Sequence, residues 1–532
     1  KIITEPKPGV YVFDTEQNLA GWASLTVEGE RGREITLRFA ETLYDDGLVN
    51  QENLRNAKAT DTYILKGEGV ETWEPKFTYH GFRYVQVEGL PHAPKVGDIR
   101  VKIVRNAVAP VGKFHCSNEL LNRIHRMVVA TEASNLHGVP TDCPQRDERM
   151  GWLNDLTVRI EQAVYNFDFS RFYAKFIDDI ADTQHEDGTI TCVAPYRFGA
   201  RPADPVSASY LLLAWKSYEY YGNRNIIRDH YDGLKGWVDY LASRTQDGIV
   251  DYSYYGDWSP PTQFAAAPGS AVSRDTPGQL MSTGYLYYCA SMLSKMAELT
   301  GRDSDKARYA QLAERTAEAF NRTYWNEQTG GYAANNQAAN SFALFLGVVD
   351  ETRIPRVVKN LADDVEKHDY HLTTGNLCTK YLMEMLTRYG HAETAYRIAT
   401  QTTYPSWGYM LQNGATTLWE RWEYATGDEM NSHNHPMLGS VGGWFYKYLA
   451  GIRPLPDAEH PGFDRFTIHP YVVDDLEFAE GEFNSVKGTI RSGWSKKNGV
   501  LSLNVTIPAN SVATVYVPSS RVGSITESGK NA

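Results

Sequence analysis

The segment Thr141–Asp155, TDCPQRDERMGWLND, packs Asp142, Asp147, Glu148 and Asp155 together with Arg146, Arg149 and Trp152. Crowded carboxylates repel, so at least one is expected to keep its proton to a higher pH than it would in water. An aromatic face beside such an acid suits a sugar ring, which is apolar on its CH faces and polar at its edges. A protonated carboxyl and an aromatic platform together can cleave a glycosidic bond. The same residues also suit an ion-pair network that caps and charge-balances a helix start.

A second carboxylate stands in Ala415–Trp422, ATTLWERW, where Glu420 lies among Trp419, Arg421 and Trp422. It reads either as an ion-paired helix residue among core tryptophans or as a base near a stacked ring, kept ionised by the Arg421 guanidinium. Close behind comes Asn431-Ser432-His433-Asn434-His435. No HExxH or carboxylate triad accompanies these histidines, so a metal is not expected. One of them is expected to hydrogen-bond a sugar hydroxyl or to orient Glu420. In Gly256-Asp257-Trp258-Ser259-Pro260, Trp258 either walls a pocket or packs a turn. Phosphate loops, dinucleotide fingerprints and serine nucleophile elbows are absent from the sequence, and no cofactor is expected. One acid early and one base late, facing each other across a cavity, is the arrangement of inverting glycosidases, whose carboxyls stand about 6.5–9.5 Å apart to admit a water.

The elements that must position these residues fall into three parts. At 532 residues the chain exceeds the size of a single core, so two to four domains are expected. Val10–Phe13, Ala23–Val27, Glu34–Phe39 and Phe82–Val87 alternate apolar and polar residues, which predicts a β-sandwich over 1–112. From Ser117, with Ser117-Asn118-Glu119 as a capped start, the pattern becomes helical. Segments such as Arg171–Thr183, Ser207–Tyr221, Ile226–Ala242, Gln279–Leu299, Asp303–Arg322, Ile354–Ala362, Thr374–Arg388 and Ala392–Thr400 predict roughly a dozen helices over 113–452. That number suits a toroid of six hairpins; an open solenoid is the competing packing, weakened by the lack of a fixed-period repeat. Over 453–532 alternation returns at Gly488–Arg491, Val500–Ile507 and Ser511–Val517, predicting a small second sandwich. The chain starts at Lys1 without a methionine and stops at Ser528-Gly529-Lys530-Asn531-Ala532, where no closing strand is expected. Further sequence is therefore expected at both ends, with a signal peptide and other domains upstream, and the compartment stays open.

A net charge of -12 argues against nucleic acid or an anionic membrane as partner, and no apolar run is long enough to span a bilayer. Five scattered cysteines form no metal spacing and cannot pair completely, so buried free thiols are expected. With 34 Tyr and 12 Trp the chain is well supplied for stacking sugar rings, and a carbohydrate is the expected partner.

The run DCPQRDERMGW at Asp142–Trp152 followed by Asp155, TTLWERW at Thr416–Trp422, NHPMLGSVGGW at Asn434–Trp444 and AGIRP at Ala450–Pro454 closely resemble bacterial α-L-rhamnosidases of glycoside hydrolase family 78. DTYILKGEG and EPKFTYHGFRYVQVEG in the first domain are similar to the same family. The resemblance covers nearly the whole chain in order. It implies a mainly α, (α/α)6 catalytic barrel flanked by N-terminal and C-terminal antiparallel β-sandwich domains, hydrolysing terminal α-L-rhamnosyl units with inversion and without a metal. It further implies Glu148 as general acid and Glu420 as base. Asp142, Arg146, Trp152 and Asp155 are implied to grip the sugar, with His435 and Trp258 lining the pocket. Glu148 is expected to stay protonated through repulsion from Asp142, Asp147 and Asp155, offset by Arg146 and Arg149. The sequence departs from the family at Asn154, where many members have glycine, and over Phe198–Pro205, which lacks the Trp-Gly-Asp that many carry. A polysaccharide lyase on the same barrel, or a non-catalytic sugar-binding scaffold, are the alternatives.

Overall fold

The computed structural model describes residues 2–428, 430–455, 459–519, 525–527 and 530–531. Its first part is β. Strands Ile2–Lys7, Val10–Glu28, His80–Glu88, Glu34–Ala40 and Thr60–Ile64 follow one another across an antiparallel sheet, and Val70–Trp73 and Ile99–Ile103 pair with the far half of Val10–Glu28. The strands expected at 10–13 and 23–27 are therefore one strand. Its register to His80–Glu88 shifts between Asp14 and Leu19, where Glu16 takes a positive φ of 64°, the mark of a bulge that lets a long strand bend and change partners. The alternation buries Phe13, Leu25, Leu37, Phe39, Phe82, Val85 and Val87 in a core of their own.

The middle of the chain is helical, with thirteen α-helical segments among the described residues between Glu119 and Trp444. Glu119–Ser134 starts where the polar run predicts, capped by the Asn118 side chain, which accepts from the Leu120 N–H. Leu153–Asn166 follows the acid-rich segment and is buried along nearly its whole length. Ser209–Tyr221 ends at Gly222, whose φ of 70° supplies the left-handed cap.

The last part is again β but not wholly antiparallel. A four-stranded antiparallel sheet runs Gly112–Cys116, Phe478–Ser485, Gly488–Lys497, Val500–Thr506. In a second sheet Ile452–Pro454 pairs antiparallel with Arg465–Ile468, which pairs parallel with Val512–Val515. Thr526–Glu527 pairs with Lys530–Asn531; Ser528 and Gly529 lie outside the described residues. Phe114, Ile452, Phe466 and Trp494 belong to the same apolar core as the helices. The chain is thus multidomain, a helical domain between two β-rich ones. All five cysteines are buried and unpaired. Among the described residues no helix is long and apolar enough to cross a membrane.

Candidate active site

The acid-rich segment is a loop as far as Trp152, with Asp155 in the first turn of Leu153–Asn166, and buried charge fixes the ends of the loop. Glu132 of Glu119–Ser134 takes the Arg159 Nε at 2.8 Å, and Arg159 in turn donates to the carbonyls of Thr141 (2.8 Å) and Asn135 (3.1 Å). The loop then closes on itself: the Asp142 N–H donates to the Met150 carbonyl, and the Met150 N–H to Asp142 Oδ1 at 2.7 Å. The other carboxylate comes from the far end of the helical domain. Segments 418–420 and 432–435 pair through the Glu420 N–H to the Ser432 carbonyl and the His435 N–H to the Leu418 carbonyl, both 2.9 Å. Glu420 is therefore in an extended loop and not on a helix.

The two halves meet at Arg146. Its guanidinium grips Glu420 bidentately at 2.8 and 3.0 Å, contacts Glu148 Oε2 at 2.7 Å and lies 3.8 Å from Asp142. Glu148 Oε1 accepts from Trp152 Nε1 at 2.8 Å. His435 Nε2 stands 3.5 Å from Asp155, 3.9 Å from Asp142 and 3.9 Å from Glu420. Trp258 joins through rings, edge-to-face with Tyr255, itself edge-to-face with Trp152. All eight residues singled out from the sequence thus converge on one site.

The electrostatics differ from expectation in their causes. Burial raises Asp142 well above the ordinary carboxylate range, with repulsion from Glu148 adding to it. Burial first, then Glu148 and Glu420, lift Asp155 to about 7. Burial, more than crowding, therefore favours the proton on these two acids. Glu148 is flanked by Arg146 and by an unforeseen cation, Arg55, whose Nη1 lies 3.0 Å from Oε2. Arg149 does not share that role; it lies over the Tyr79 ring at 4.1 Å. For Glu420 burial opposes the charge, but Arg146 outweighs it and holds the carboxyl at about 2. The expected partner, Arg421, instead pairs with Glu423. Neighbours along an extended segment point to opposite sides, so sequence adjacency misassigned the cation. Burial pushes His435 down to about 3, leaving a neutral ring.

His433 takes a structural part: its Nε2 meets the Ala425 carbonyl at 2.7 Å, and its N–H donates to Glu41. The segment that lacks Trp-Gly-Asp still serves the site. Gly199 lies against the Trp152 indole, and Asp204 accepts from the N–H groups of Val206, Tyr254 and Tyr255, fixing the tyrosine loop. Asp257 accepts from the Gly375 and Cys378 N–H groups at the start of Asn376–Arg388, which anchors the loop bearing Trp258. Sequence reasoning missed Arg55, Glu41 and Asp204. For Arg55 the only signal was its place between Asn53 and Asn56 in a stretch without strand periodicity. One group of ligand-type atoms, on Asp142, Cys143 and Glu148, falls within 4.8 Å of one another. Its donors suit a cation poorly, because Arg146 already supplies the positive charge and burial pushes the Cys143 thiol well up, keeping it protonated.

A helical domain between β-rich flanks, with carboxylates from distant segments gathered around one arginine and tryptophans beside them, suits the acid–base chemistry of a glycoside hydrolase. Models of three domains match in order: the bacterial alpha-L-rhamnosidase concanavalin-like domain over residues 4–105, the 6 hairpin glycosidase domain over 109–449 and the C-terminal domain over 451–532. The chain belongs to the bacterial α-L-rhamnosidases, glycoside hydrolase family 78. It is similar to an α-L-rhamnosidase of Streptomyces avermitilis, 36% identical over 97% of this chain and 49% of that protein. Among solved structures it resembles the α-L-rhamnosidase from Dictyoglumus thermophilum, with TM-score 0.94 and 43% identity over 98% of this chain and 58% of that one. It also resembles the Streptomyces avermitilis enzyme complexed with L-rhamnose, with TM-score 0.90 and 33% identity over 99% and 51%. The chain spans about half the length of the curated relatives it matches.

Proposed function

We propose that this protein is an exo-acting, inverting α-L-rhamnosidase whose helical domain is an (α/α)6 toroid, with 1–112, 113–452 and 453–532 as its domains. The observation that carries the reading is that Glu148 and Glu420, from opposite ends of the helical domain, meet at one guanidinium. Glu148 is the general acid. Its carboxyl proton passes to the glycosidic oxygen as the bond to the anomeric carbon breaks and the electron pair leaves with that oxygen. Glu420 is the base: held ionised by Arg146, it takes a proton from the water that attacks the anomeric carbon from the opposite face. Asp142, Arg146, Asp155 and His435 hold the rhamnose hydroxyls, and Trp152 and Trp258 wall the ring. Three buried atoms support this assignment, because Asp142 Oδ2, Arg146 Nε and His435 Nδ1 have no hydrogen-bond partner among the described residues.

Arg146 touches the two carboxylates at 2.7 and 3.0 Å through one nitrogen, so their nearest oxygens lie closer than the about 6.5–9.5 Å spacing of inverting enzymes. Inversion therefore requires Glu148 to swing outward as the sugar enters. Its side chain is 15% exposed against 5% for Glu420, so Glu148 is the carboxylate with an open side toward solvent. NMR of the first product from p-nitrophenyl α-L-rhamnoside tests the reading. The β anomer is expected; α-rhamnose as first product would exclude inversion, and no release of rhamnose would exclude the activity. In Glu148→Gln, turnover should collapse on alkyl rhamnosides and be largely spared on activated aryl rhamnosides.

A further inference from the structure

We propose that Arg55, carried by the N-terminal β domain, is a positioning residue for the proton donor Glu148, placed on the leaving-group side to stabilise the carboxylate that proton donation creates. The inference rests on the reading of Glu148 as the acid. Two guanidiniums meet Glu148 Oε2, Arg146 at 2.7 Å and Arg55 at 3.0 Å. Arg146 is 1% exposed and committed to Glu420, whereas Arg55 is 33% exposed. The departing group must leave toward solvent, so Arg55 is the cation on its route.

Arg55 is not there by accident of a loose surface. It directly follows the short turn Glu52–Leu54 with φ 56° and ψ −120°, a conformation that suits glycine and strains an arginine. The surrounding structure holds it there. Leu54 is buried in the β-domain core, and Asn53 donates to Glu41 Oε2 at 2.9 Å. The same oxygen accepts the His433 N–H at 3.0 Å, so one carboxylate ties the Arg55 turn to the loop that carries Glu420 and His435. The two domains also touch closely at Gly81, where a Cβ would come within 2.7 Å of the Gln145 backbone nitrogen in the acid-bearing loop.

When Glu148 gives its proton to the leaving oxygen, the negative charge that appears on it faces Arg55, an interaction stronger in the transition state than before it. The charged and titratable groups around Glu148 are Arg55, Arg146, Asp142, Cys143, Asp155 and Glu420, and Arg55 is the one supplied by another domain. Arg55→Gly removes the guanidinium and relaxes the strained backbone, so it should fold at least as well as the parent protein. Its kcat is expected to fall about 10- to 100-fold on methyl α-L-rhamnoside, whose leaving group needs the proton, and by less than about threefold on p-nitrophenyl α-L-rhamnoside. KM should change little. Arg55→Lys should restore most of the loss. Equal losses on both substrates, or no loss on either, would overturn the inference. A parent enzyme that cleaves neither rhamnoside, or Glu148→Gln losing both equally, would instead overturn the reading on which it rests.

Discussion

Helix Leu153–Asn166 carries acids into two buried charge clusters of opposite make-up. Glu161, with Glu219 and Glu384, meets Lys216, Lys380 and Lys447, three against three. Lys216 reaches Glu161 at 3.0 Å and Glu219 at 2.6 Å, Lys380 reaches Glu161 at 2.5 Å and also pairs with Glu384, and Lys447 reaches Glu384 at 3.0 Å. Burial disfavours the charges of Glu161, Glu384, Lys216 and Lys447, yet the lysines hold Glu161 well below the ordinary carboxylate range and Glu384 below it, and the acids hold Lys216 and Lys447 up. The other cluster sets four carboxylates, Asp142, Glu148, Asp155 and Glu420, against Arg146 and Arg55. There the imbalance is settled by protons, with Asp142 and Asp155 raised and Glu420 lowered. A balanced buried cluster stays ionised and inert; an unbalanced one holds groups poised at different protonation states, which acid–base chemistry needs.

The largest contrast is in turnover. Glu420→Gln should lower kcat on every rhamnoside by about a hundred- to ten-thousand-fold while the protein still unfolds cooperatively. Near-normal rates on either aryl or alkyl rhamnosides would remove Glu420 as base and, with it, the distinction between the clusters.

The balanced cluster should answer in stability. Lys447→Met leaves Glu161 and Glu384 short of a cation in the interior and should cost about 3–5 kcal/mol, read as a fall in the urea midpoint. The folded variant should keep kcat within about twofold, because none of the six residues reaches the sugar site. Loss of turnover with an unchanged midpoint would mean that the second cluster also takes part in function.

The protonation argument makes a smaller prediction. Asp155 sits at about 7 in the folded chain against an ordinary 3.8, so between those values the native state keeps a proton that the unfolded chain has released. Stability therefore falls as pH rises through that window, by at most about 1.4 kcal/mol per pH unit. Glu420 acts in the opposite sense: its contribution is present above its ordinary 4.5 and is lost on acidification toward about 2. Urea midpoints across pH should decline less steeply toward neutrality in Asp155→Asn than in the parent protein, with Asp142 keeping its own share of the slope. If the slope is unchanged, Asp155 does not contribute to it.

Much of this was legible in the sequence because the informative features are local. The alternation in Glu34–Phe39 and the capped start at Asn118 depend on neighbours within one turn or one pleat, and the structure has both. Partners far along the chain left no such trace. Gly112–Cys116 precedes the helices yet pairs with Phe478–Ser485, because sheet edges are completed by whatever strand the fold delivers. The bend that merges 10–13 and 23–27 into one strand needs a bulge at Glu16, a residue type that does not announce positive φ. The carboxylates were legible as residue types in distinctive motifs, and so was Arg146 beside Glu148, whereas its grip on Glu420 and the part of Arg55 were not. Arg146 is 274 positions from Glu420, and Arg55 is 93 from Glu148.

That last difference yields the smallest expected effect and the sharpest check on it. Arg421 adjoins Glu420 in sequence, and charge reasoning along the chain makes it the group that keeps Glu420 ionised. In the fold its guanidinium turns away to Glu423 and toward the Ser270 carbonyl, while Arg146 takes both oxygens of Glu420. Arg421→Gln should therefore leave kcat within about twofold and leave the acid limb of the pH–rate profile in place. Arg146→Gln should depress turnover and, by removing the cation that opposes burial, move that limb to higher pH. If Arg421→Gln moved the limb instead, the field at Glu420 would be set by its chain neighbour, and the link between the two halves of the site through Arg146 would lose its electrostatic meaning.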